Sequence, residues 1–286
     1  MAVSERSAPE SLSVEARIHE AMHRLTSAEK RVARGLLGSY PTIGFAPVAE
    51  FAAQSGTSAA TVLRFVAQLG YRSYPDFQRA LRNELEERVK SPLQRSEARP
   101  PRPGADQGFL DKFVARTVDN MRSSAARIPR SEFEAVCAKL AEGKGSCHLF
   151  GGRFTDPLAA YLEAHLRLIR PGVRRLDGRL ASRTDQLLDV RPGDIALVFD
   201  VRRYDPALAD TVEALSRLRA FIVLVTDEWL SPVSRYAKIV LPCHTNMDRT
   251  WDANAALFAL TEAIIARTTE LAWPTASKRI GFIEKT

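Results

Sequence analysis

Residues 48–81, VAEFAAQSGTSAATVLRFVAQLGYRSYPDFQRAL, contain two amphipathic patterns separated by a turn signal. The apolar stripe of the first pattern is Val48, Phe51 and Ala52, and that of the second is Val62, Phe65, Val66 and Leu69. Both stripes have helical spacing. Gly56 lies between them and supplies the positive φ that a turn between crossed helices requires. Thr57 or Ser58 then caps the second helix. The stretch predicts a helix-turn-helix.

The second helix of such a motif lies in the major groove of DNA. Its outward positions near the N-terminus are Ser58, Ala59, Thr61 and Arg64. Small and hydroxyl side chains allow the backbone to approach DNA closely, and Arg64 is long enough to reach a guanine edge or a phosphate. The pattern alone leaves a second interpretation open, a helical hairpin that only packs on a core.

Composition favours an anionic partner only weakly. The net charge is +7 and the pI about 9.5, but the first 90 residues are nearly balanced in charge. No stretch approaches the roughly 20 apolar residues of a membrane span, and the N-terminus carries no signal-peptide pattern. The three cysteines are scattered, which fits a reducing compartment. We therefore expect a cytoplasmic protein without membrane association.

An H-E-x-x-H match at His19–His23 raises the hypothesis of a zinc hydrolase. The match falls on a predicted helix, but no third ligand follows at a suitable distance. The next helix begins with a capping box of Thr26 and Glu29, and the first carboxylate after it is Glu50. We expect a chance match and no metal site.

The chain divides at a segment rich in Pro, Gly, Ser and Arg, residues 91–108, which has no apolar periodicity. We interpret it as a linker between a helical domain of residues 12–90 and a second domain of residues 109–270. The second domain contains five short apolar runs: CHLFGG, VRRLDG, DIALVFD, AFIVLVTD and KIVLPC. Helical segments separate most of them, so we predict an α/β domain with a parallel sheet of about five strands and helices on both faces.

Ligands of such sheets bind beyond the carboxyl ends of the strands. Three loops lie there, and their candidate residues are Gly151, Gly152, Arg153 and Thr155 in the first, Arg202 and Arg203 in the second, and Ser231 in the third. The glycines allow close backbone approach, and the hydroxyls bond an anion or cap a helix. An interpretation as tight turns and plain N-caps stays equally open.

The first half resembles the DNA-binding domain of the RpiR family of bacterial transcriptional regulators. The family pattern runs G-V-S-x-A-T-V-x-R-F-x-x-x-L-G-[FY]-x-x-[FY]-x-[DE]-[FL]. It is matched by Gly56, Ser58, Ala60, Thr61, Val62, Arg64, Phe65, Leu69, Gly70, Tyr71, Tyr74 and Phe77, with Thr57 in place of the usual valine. The resemblance implies that Ser58, Thr61 and Arg64 contact DNA and that the two tyrosines hold the following helix.

The second half resembles the sugar isomerase (SIS) domain that this family carries, which usually senses a phosphosugar. In the family, an [IV]-S-x-S-G-x-[ST] loop helps to cradle the phosphate, but here the corresponding sequence is FDVRRYDP. Arg153, Arg202 and Arg203 therefore offer an alternative, the binding of an acidic metabolite through charge and bidentate hydrogen bonds. A role as surface or interface residues is the other possibility.

Catalysis is the weaker hypothesis. Glu163 and His165 are the candidate bases for an isomerisation, but they lie on a helix that also needs solvent-facing residues. We expect no catalytic residue and no cofactor. The predicted function is a transcriptional regulator, a homodimer or homotetramer, that binds double-stranded operator DNA and a small anionic effector such as a phosphosugar. The alternative is a SIS-type sugar-phosphate binding protein or isomerase with a helical assembly domain.

Overall fold

The computed structural model describes residues 13–38, 40–89, 91–98, 108–176, 184–247 and 249–285. The chain forms two compact units, one up to residue 89 and one from residue 90 onward. In the described part of the chain, no helix combines the length and the apolar character that crossing a bilayer requires.

The first unit is all helical. It contains α1 (Val14–Ala21), α2 (Ser27–Gly38), a 3-10 turn (Thr42–Phe45), α3 (Val48–Gln54), α4 (Ala59–Gln68) and α5 (Tyr74–Val89). The predicted capping box starts α2, where the Thr26 hydroxyl donates to Glu29 Oε2 at 2.8 Å and accepts from Glu29 N at 3.3 Å. The predicted stripes of α3 and α4 meet in one core, in which Phe51, Phe65 and Phe77 are fully buried.

A helix forms inside the segment that we interpreted as a linker. This helix, α6 (Pro92–Ala98), belongs to the second unit. A capping box starts it, since Ser91 N donates to Gln94 Oε1 at 2.8 Å and Gln94 N donates to Ser91 Oγ at 3.2 Å. The expectation of irregular chain is therefore wrong for residues 92–98, because a cap and side-chain contacts replace apolar periodicity there. Residues 99–107 lie outside the described part.

The second unit is built on a five-stranded parallel sheet in the order β2-β1-β3-β4-β5. The strands are β1 (Cys147–Gly151), β2 (Val173–Arg175), β3 (Ile195–Asp200), β4 (Phe221–Asp227) and β5 (Ile239–Cys243). Each falls in one of the five predicted apolar runs. The central strands β1 and β3 are buried along their whole length, as expected where both faces are covered.

Helices cover both faces of this sheet. They are α7 (Phe109–Arg127), α8 (Arg130–Ala141), α9 (Asp156–Ile169), α10 (Pro206–Arg217), α11 (Ala255–Leu271) and α12 (Trp273–Ile283). Alternate residues of β3 enter opposite cores: Leu197 packs in the cluster that includes α8, α9 and α11, and Val198 packs with α10. The predicted fold class is confirmed, although the segment between β4 and β5 forms a 3-10 turn (Pro232–Tyr236) in place of an α-helix, and α12 extends past residue 270, where we expected the domain to end.

The strand order contains a topological switch point. The chain passes from β1 to β2 on one side and then returns to place β3 on the other side of β1. A crevice outside the carboxyl ends of β1 and β3 is the usual ligand position in such a sheet. The first two candidate loops, at residues 151–155 and 200–205, leave the sheet at this point.

Candidate functional site

The turn between α3 and α4 has the geometry of a helix-turn-helix. Gly56 adopts φ of +60°, and a Cβ there would meet no atom within 4 Å, so the backbone conformation rather than crowding favours glycine. Ser58 is the N-cap of α4, and its hydroxyl accepts from Thr61 N at 3.3 Å.

The exposed face of α4 carries most of the predicted DNA contacts. Ser58, Ala59 and Arg64 are exposed, as is Leu63 at 47%. Thr61 differs, because it is only 5% exposed. Its hydroxyl lies 2.9 Å from Ser58 Oγ and accepts from Arg64 Nη2 at 3.3 Å. Thr61 thus connects two exposed polar side chains from beneath and helps to orient Arg64.

Tyr74 attaches the helix after α4 to the rest of the unit. Its hydroxyl donates to Ala46 O at 2.8 Å, and burial raises the pKa of Tyr74 to about 12. Burial likewise raises the pKa of Tyr71 to about 12, although Arg17 lies over its ring. These contacts are those of residues that hold the start of α5 against the rest of the unit rather than present themselves to a ligand.

In the second unit, the loop after β1 is tied to the end of β3. Thr155 is 1% exposed, and its hydroxyl donates to Phe199 O at 2.7 Å while accepting from Gly152 N at 3.0 Å. Thr155 occupies the N-cap position of α9 but makes no side-chain cap bond. Its hydroxyl is therefore engaged inside the protein. A Cβ on Gly151 would lie 2.6 Å from Asp156 N, so this position requires glycine.

The third loop is tied to the same strand. Ser231 is fully buried, and its hydroxyl donates to Asp200 Oδ2 at 2.5 Å and caps the 3-10 turn through Val233 N. Burial, reinforced by the charge of Asp227, raises the pKa of Asp200 to about 7. The hydroxyls of Thr155 and Ser231 both have internal partners, as the interpretation as structural residues expects.

Arg202 is held by a carboxylate that the sequence analysis did not single out. It donates to Asp252 through Nη2 at 2.7 Å and through Nε at 3.2 Å, and its side chain is 3% exposed. Arg95 of α6 donates to the same carboxylate at 2.8 Å. The Arg202 guanidinium also lies over the ring of Trp229, 5.6 Å from its centroid. Asp252 thus joins a strand-end loop to α6.

Asp227 organises the backbone of the Arg202 loop. Its Oδ2 accepts from Arg202 N at 2.6 Å, and its Oδ1 accepts from the Tyr204 hydroxyl at 2.8 Å and Trp229 N at 3.1 Å. Burial and the neighbouring charge of Glu228 raise the pKa of Asp227 to about 6. The loop that replaces the usual serine-glycine sequence is therefore fixed by a buried acid.

A cavity of about 190 Å³ lies at the switch point. It is lined by Gly152, Arg153, Phe154, Thr155, Asp200, Val201, Arg202 and Arg203. Arg153 and Arg203 are exposed, and in the described residues neither has a carboxylate partner. A second cavity of about 180 Å³ shares Phe154 and Arg203 with the first and reaches Arg95 and Trp251. The three predicted arginines and Gly152 therefore meet around one opening, with positive charge at its rim, whereas Gly151 does not line it.

This two-unit arrangement agrees with the comparison to known families. Residues 12–88 match the family described as "Helix-turn-helix domain, rpiR family", and residues 139–267 match the "SIS domain". The chain belongs to the RpiR family.

Solved structures of similar proteins share the fold at low sequence identity. The sugar isomerase domain of an RpiR transcription factor from Sphaerobacter thermophilus has a TM-score of 0.56 and 18% identity, covering 63% of this chain and 100% of that one. The NanR protein of Vibrio vulnificus, in complex with ManNAc-6P, has a TM-score of 0.54 and 17% identity, covering 95% and 97%.

A curated relative matches over a shorter stretch. An uncharacterized HTH-type transcriptional regulator from the aarA 3′ region of Providencia stuartii is 41% identical over 61 residues, which is 21% of this chain. The match spans about a fifth of that relative's length, 22%.

The structure does not bring the candidate zinc ligands or the candidate catalytic bases together into a site. Helix α1 ends at Ala21, so the H-E-x-x-H match does not lie on one helix as expected, and His23 is exposed beyond its end. In the described ranges, no group of three metal-ligating side chains could hold an ion. Glu163 pairs with Arg167 at 2.8 Å, and the His165 ring packs on Tyr161.

Two residues of the site, Arg95 and Asp252, were not predicted from the sequence. The S-x-x-Q capping box with proline at the first helical position was a readable signal for α6. Asp252 had no local signal, because only the tertiary fold brings it to Arg202.

Proposed function

We propose that this protein is a DNA-binding transcriptional regulator whose SIS unit senses a small anionic metabolite, a phosphosugar or an organic acid, and alters operator binding. The observation that carries the proposal is the combination in one chain of an exposed, capped recognition helix and an arginine-rimmed cavity. Family membership supports both parts, and the ManNAc-6P bound to the Vibrio NanR protein supports an acidic sugar derivative as one effector class.

In the DNA-binding unit, Arg64 contacts a base edge or phosphate while Ser58 and Ala59 permit close approach. Thr61 acts beneath them by holding Arg64. Two such helices must be presented together to read two half-sites, so the regulator acts as a homodimer or homotetramer on double-stranded DNA in the cytoplasm.

In the SIS unit, Arg153 and Arg203 attract and bind the acidic group of the effector. Gly152 keeps the opening free of a side chain, and Gly151 lets the loop turn tightly against Thr155 and Asp156 beside it. Thr155 and Ser231 shape the site from below, because their hydroxyls bond to Phe199 and Asp200. Arginine forks in place of the usual hydroxyls suit a carboxylate as well as a phosphate.

An isomerase is the alternative, and Asp200 is the group to consider for it because its pKa is raised toward neutrality. Its side chain is 2% exposed and accepts from Ser231, which fits a structural acid better than a base that reaches substrate. We expect no turnover of sugar phosphates by the purified protein.

The test is fluorescence anisotropy with genomic fragments, beginning with the DNA upstream of the gene, under excess nonspecific competitor. We expect at least one fragment to bind specifically, and a panel of phosphosugars and organic acids to contain a compound that shifts this affinity. If no fragment is retained, the protein is not an operator-binding regulator. If a fragment binds and no acid shifts the affinity, only effector sensing is contradicted.

A further inference from the structure

The carboxylate of Asp252 binds the Arg202 guanidinium in the way that the carboxylate of an acidic ligand would. Its two oxygens accept from Nη2 and Nε of one guanidinium at 2.7 and 3.2 Å, which is the side-on, bidentate geometry of carboxylate recognition. Arg202 lines both cavities at the switch point and Asp252 lines the second, so a ligand in either cavity meets Arg202 and a ligand in the second meets the pair.

Helix α6 depends on the same carboxylate. Arg95 donates to Asp252 Oδ1 at 2.8 Å and to Asn246 Oδ1 at 3.1 Å. Ser96 Oγ lies 2.8 Å from Thr250 Oγ1 as a further contact between α6 and this loop. The side chains of Arg95 and Asp252 are only 12% and 17% exposed, so the pair is partly shielded from solvent. Pro92 and Arg95 thereby form one wall of the second cavity.

We propose that Arg202 is a subsite for an acidic group of the effector, that Asp252 fills this subsite in the absence of effector, and that effector and α6 compete for it. An incoming carboxylate or phosphate that binds the Arg202 guanidinium displaces Asp252, and Arg95 then loses its charged partner among the contacts that hold α6. The chain leads from α5, which ends at Val89, directly into this helix. Effector binding therefore releases the segment that leads to the DNA-binding unit. The inference rests on the proposed anionic effector.

The pair of Arg95 and Asp252 that holds α6 is called the latch. Its role is tested without any ligand by hydrogen exchange and mass spectrometry on the full chain. We expect Arg95→Gln to accelerate exchange of the 91–98 segment by about tenfold and to leave β4 unchanged, because loss of the pair favours local opening. Arg217→Gln is the matched control, since it breaks an exposed ion pair with Glu213 in the same unit. Equal exchange rates in wild type and Arg95→Gln would overturn the latch.

Competition is tested with citrate, glucose 6-phosphate and inorganic phosphate, each against potassium chloride at equal ionic strength. We expect at least one of them to accelerate exchange at 91–98 in wild type and to bind Asp252→Asn about tenfold more tightly by calorimetry. If only citrate has this effect, the subsite binds carboxylates. If only glucose 6-phosphate has it, the subsite binds phosphate esters. If none accelerates exchange beyond the chloride control, the competition is overturned. Operator binding is measured separately, so its failure and this one are distinguishable.

Discussion

The hydroxyl of Ser231 donates a 2.5 Å hydrogen bond to Oδ2 of Asp200 and so joins the loop after β4 to the end of β3. Both side chains are buried, and burial, with the charge of Asp227, raises the pKa of Asp200 to about 7. Between about pH 4 and pH 7 this carboxyl is protonated in the folded protein but ionised in the unfolded chain.

The second unit should therefore lose stability as the pH rises through this window. The folded state binds the extra proton, so the free energy of unfolding falls with increasing pH and levels off above about pH 7. Between pH 5 and pH 8, Asp200 alone accounts for a loss on the order of 2 kcal/mol. Asp200→Asn should reduce the slope, and the raised pKa of Asp227 should leave a remainder.

Urea unfolding at pH 5 and pH 8, followed by tryptophan fluorescence, measures this effect. All three tryptophans, Trp229, Trp251 and Trp273, lie after residue 90, so the signal reports the second unit. A pH dependence in Asp200→Asn equal to that of wild type would contradict the assignment.

Arg64→Ala should weaken operator binding by about 1–3 kcal/mol without loss of folding, because the side chain is exposed on α4. A salt series separates its two roles. Loss of a phosphate contact weakens all sequences alike and reduces the salt slope by about 1, whereas loss of a base contact relaxes specificity at one position. Arg217→Ala removes the same charge from the other unit and should leave binding unchanged.

Thr61→Val should weaken operator binding by less than Arg64→Ala does, by about 0.5–1.5 kcal/mol. Valine keeps the threonine methyl group but puts a second methyl in place of the hydroxyl that accepts from Arg64 and contacts Ser58. Thr61→Ser, which keeps the hydroxyl, is the control and should bind more tightly than the valine variant. The reverse order in anisotropy titrations would show that the hydroxyl does not position Arg64.

Gly44→Ala should destabilise the first unit by about 1–3 kcal/mol, because the new Cβ would lie 2.3 Å from Leu81 Cδ1 in the core. Gly38→Ala is the matched control, because Gly38 is the last residue of α2 and no atom lies within 4 Å of the new Cβ. Its effect on the stability of the first unit should be neutral or slightly favourable. Hydrogen exchange of the α4 amides reports both. Equal protection in the two variants would contradict the close packing at Gly44.

Periodicity was sufficient to predict most elements of the fold. The five apolar runs became the five strands because a parallel sheet covered on both faces needs short, continuously apolar segments. The helix-turn-helix was equally legible, since Gly56 and Ser58 carry local signals for a turn and a cap. Helix α6 was not predicted because its seven residues have no core stripe, and only the capping box of Ser91 and Gln94 and the proline at position 92 marked its start.

The clustering of the candidate loops was predictable from the sequence, but the orientation of their side chains was not. Strand ends must cluster in a parallel sheet, so the loops at Gly152, Arg202 and Ser231 were expected to meet. Which side chains turn inward is a tertiary matter that spacing does not contain. Thr155 and Ser231 bond to Phe199 and Asp200 inside the protein, and Asp252 reaches Arg202 from a loop 50 residues later in the chain.

Arg153→Ala and Arg203→Ala should each weaken effector binding by about tenfold or more, because each removes a charge-assisted hydrogen bond from the cavity rim. Both side chains are exposed, so folding and effector-free operator affinity should stay as in wild type. The effector affinity of Arg203→Lys should fall between those of wild type and Arg203→Ala, since lysine keeps the charge but loses the planar guanidinium.

Thermal shift measures effector binding and anisotropy measures operator affinity, both with the compound found in the effector screen and with Arg217→Ala as the charge control. Undiminished stabilisation of the Arg203→Ala and Arg153→Ala variants would move the effector away from the switch point, since a ligand bound there cannot avoid both guanidinium groups.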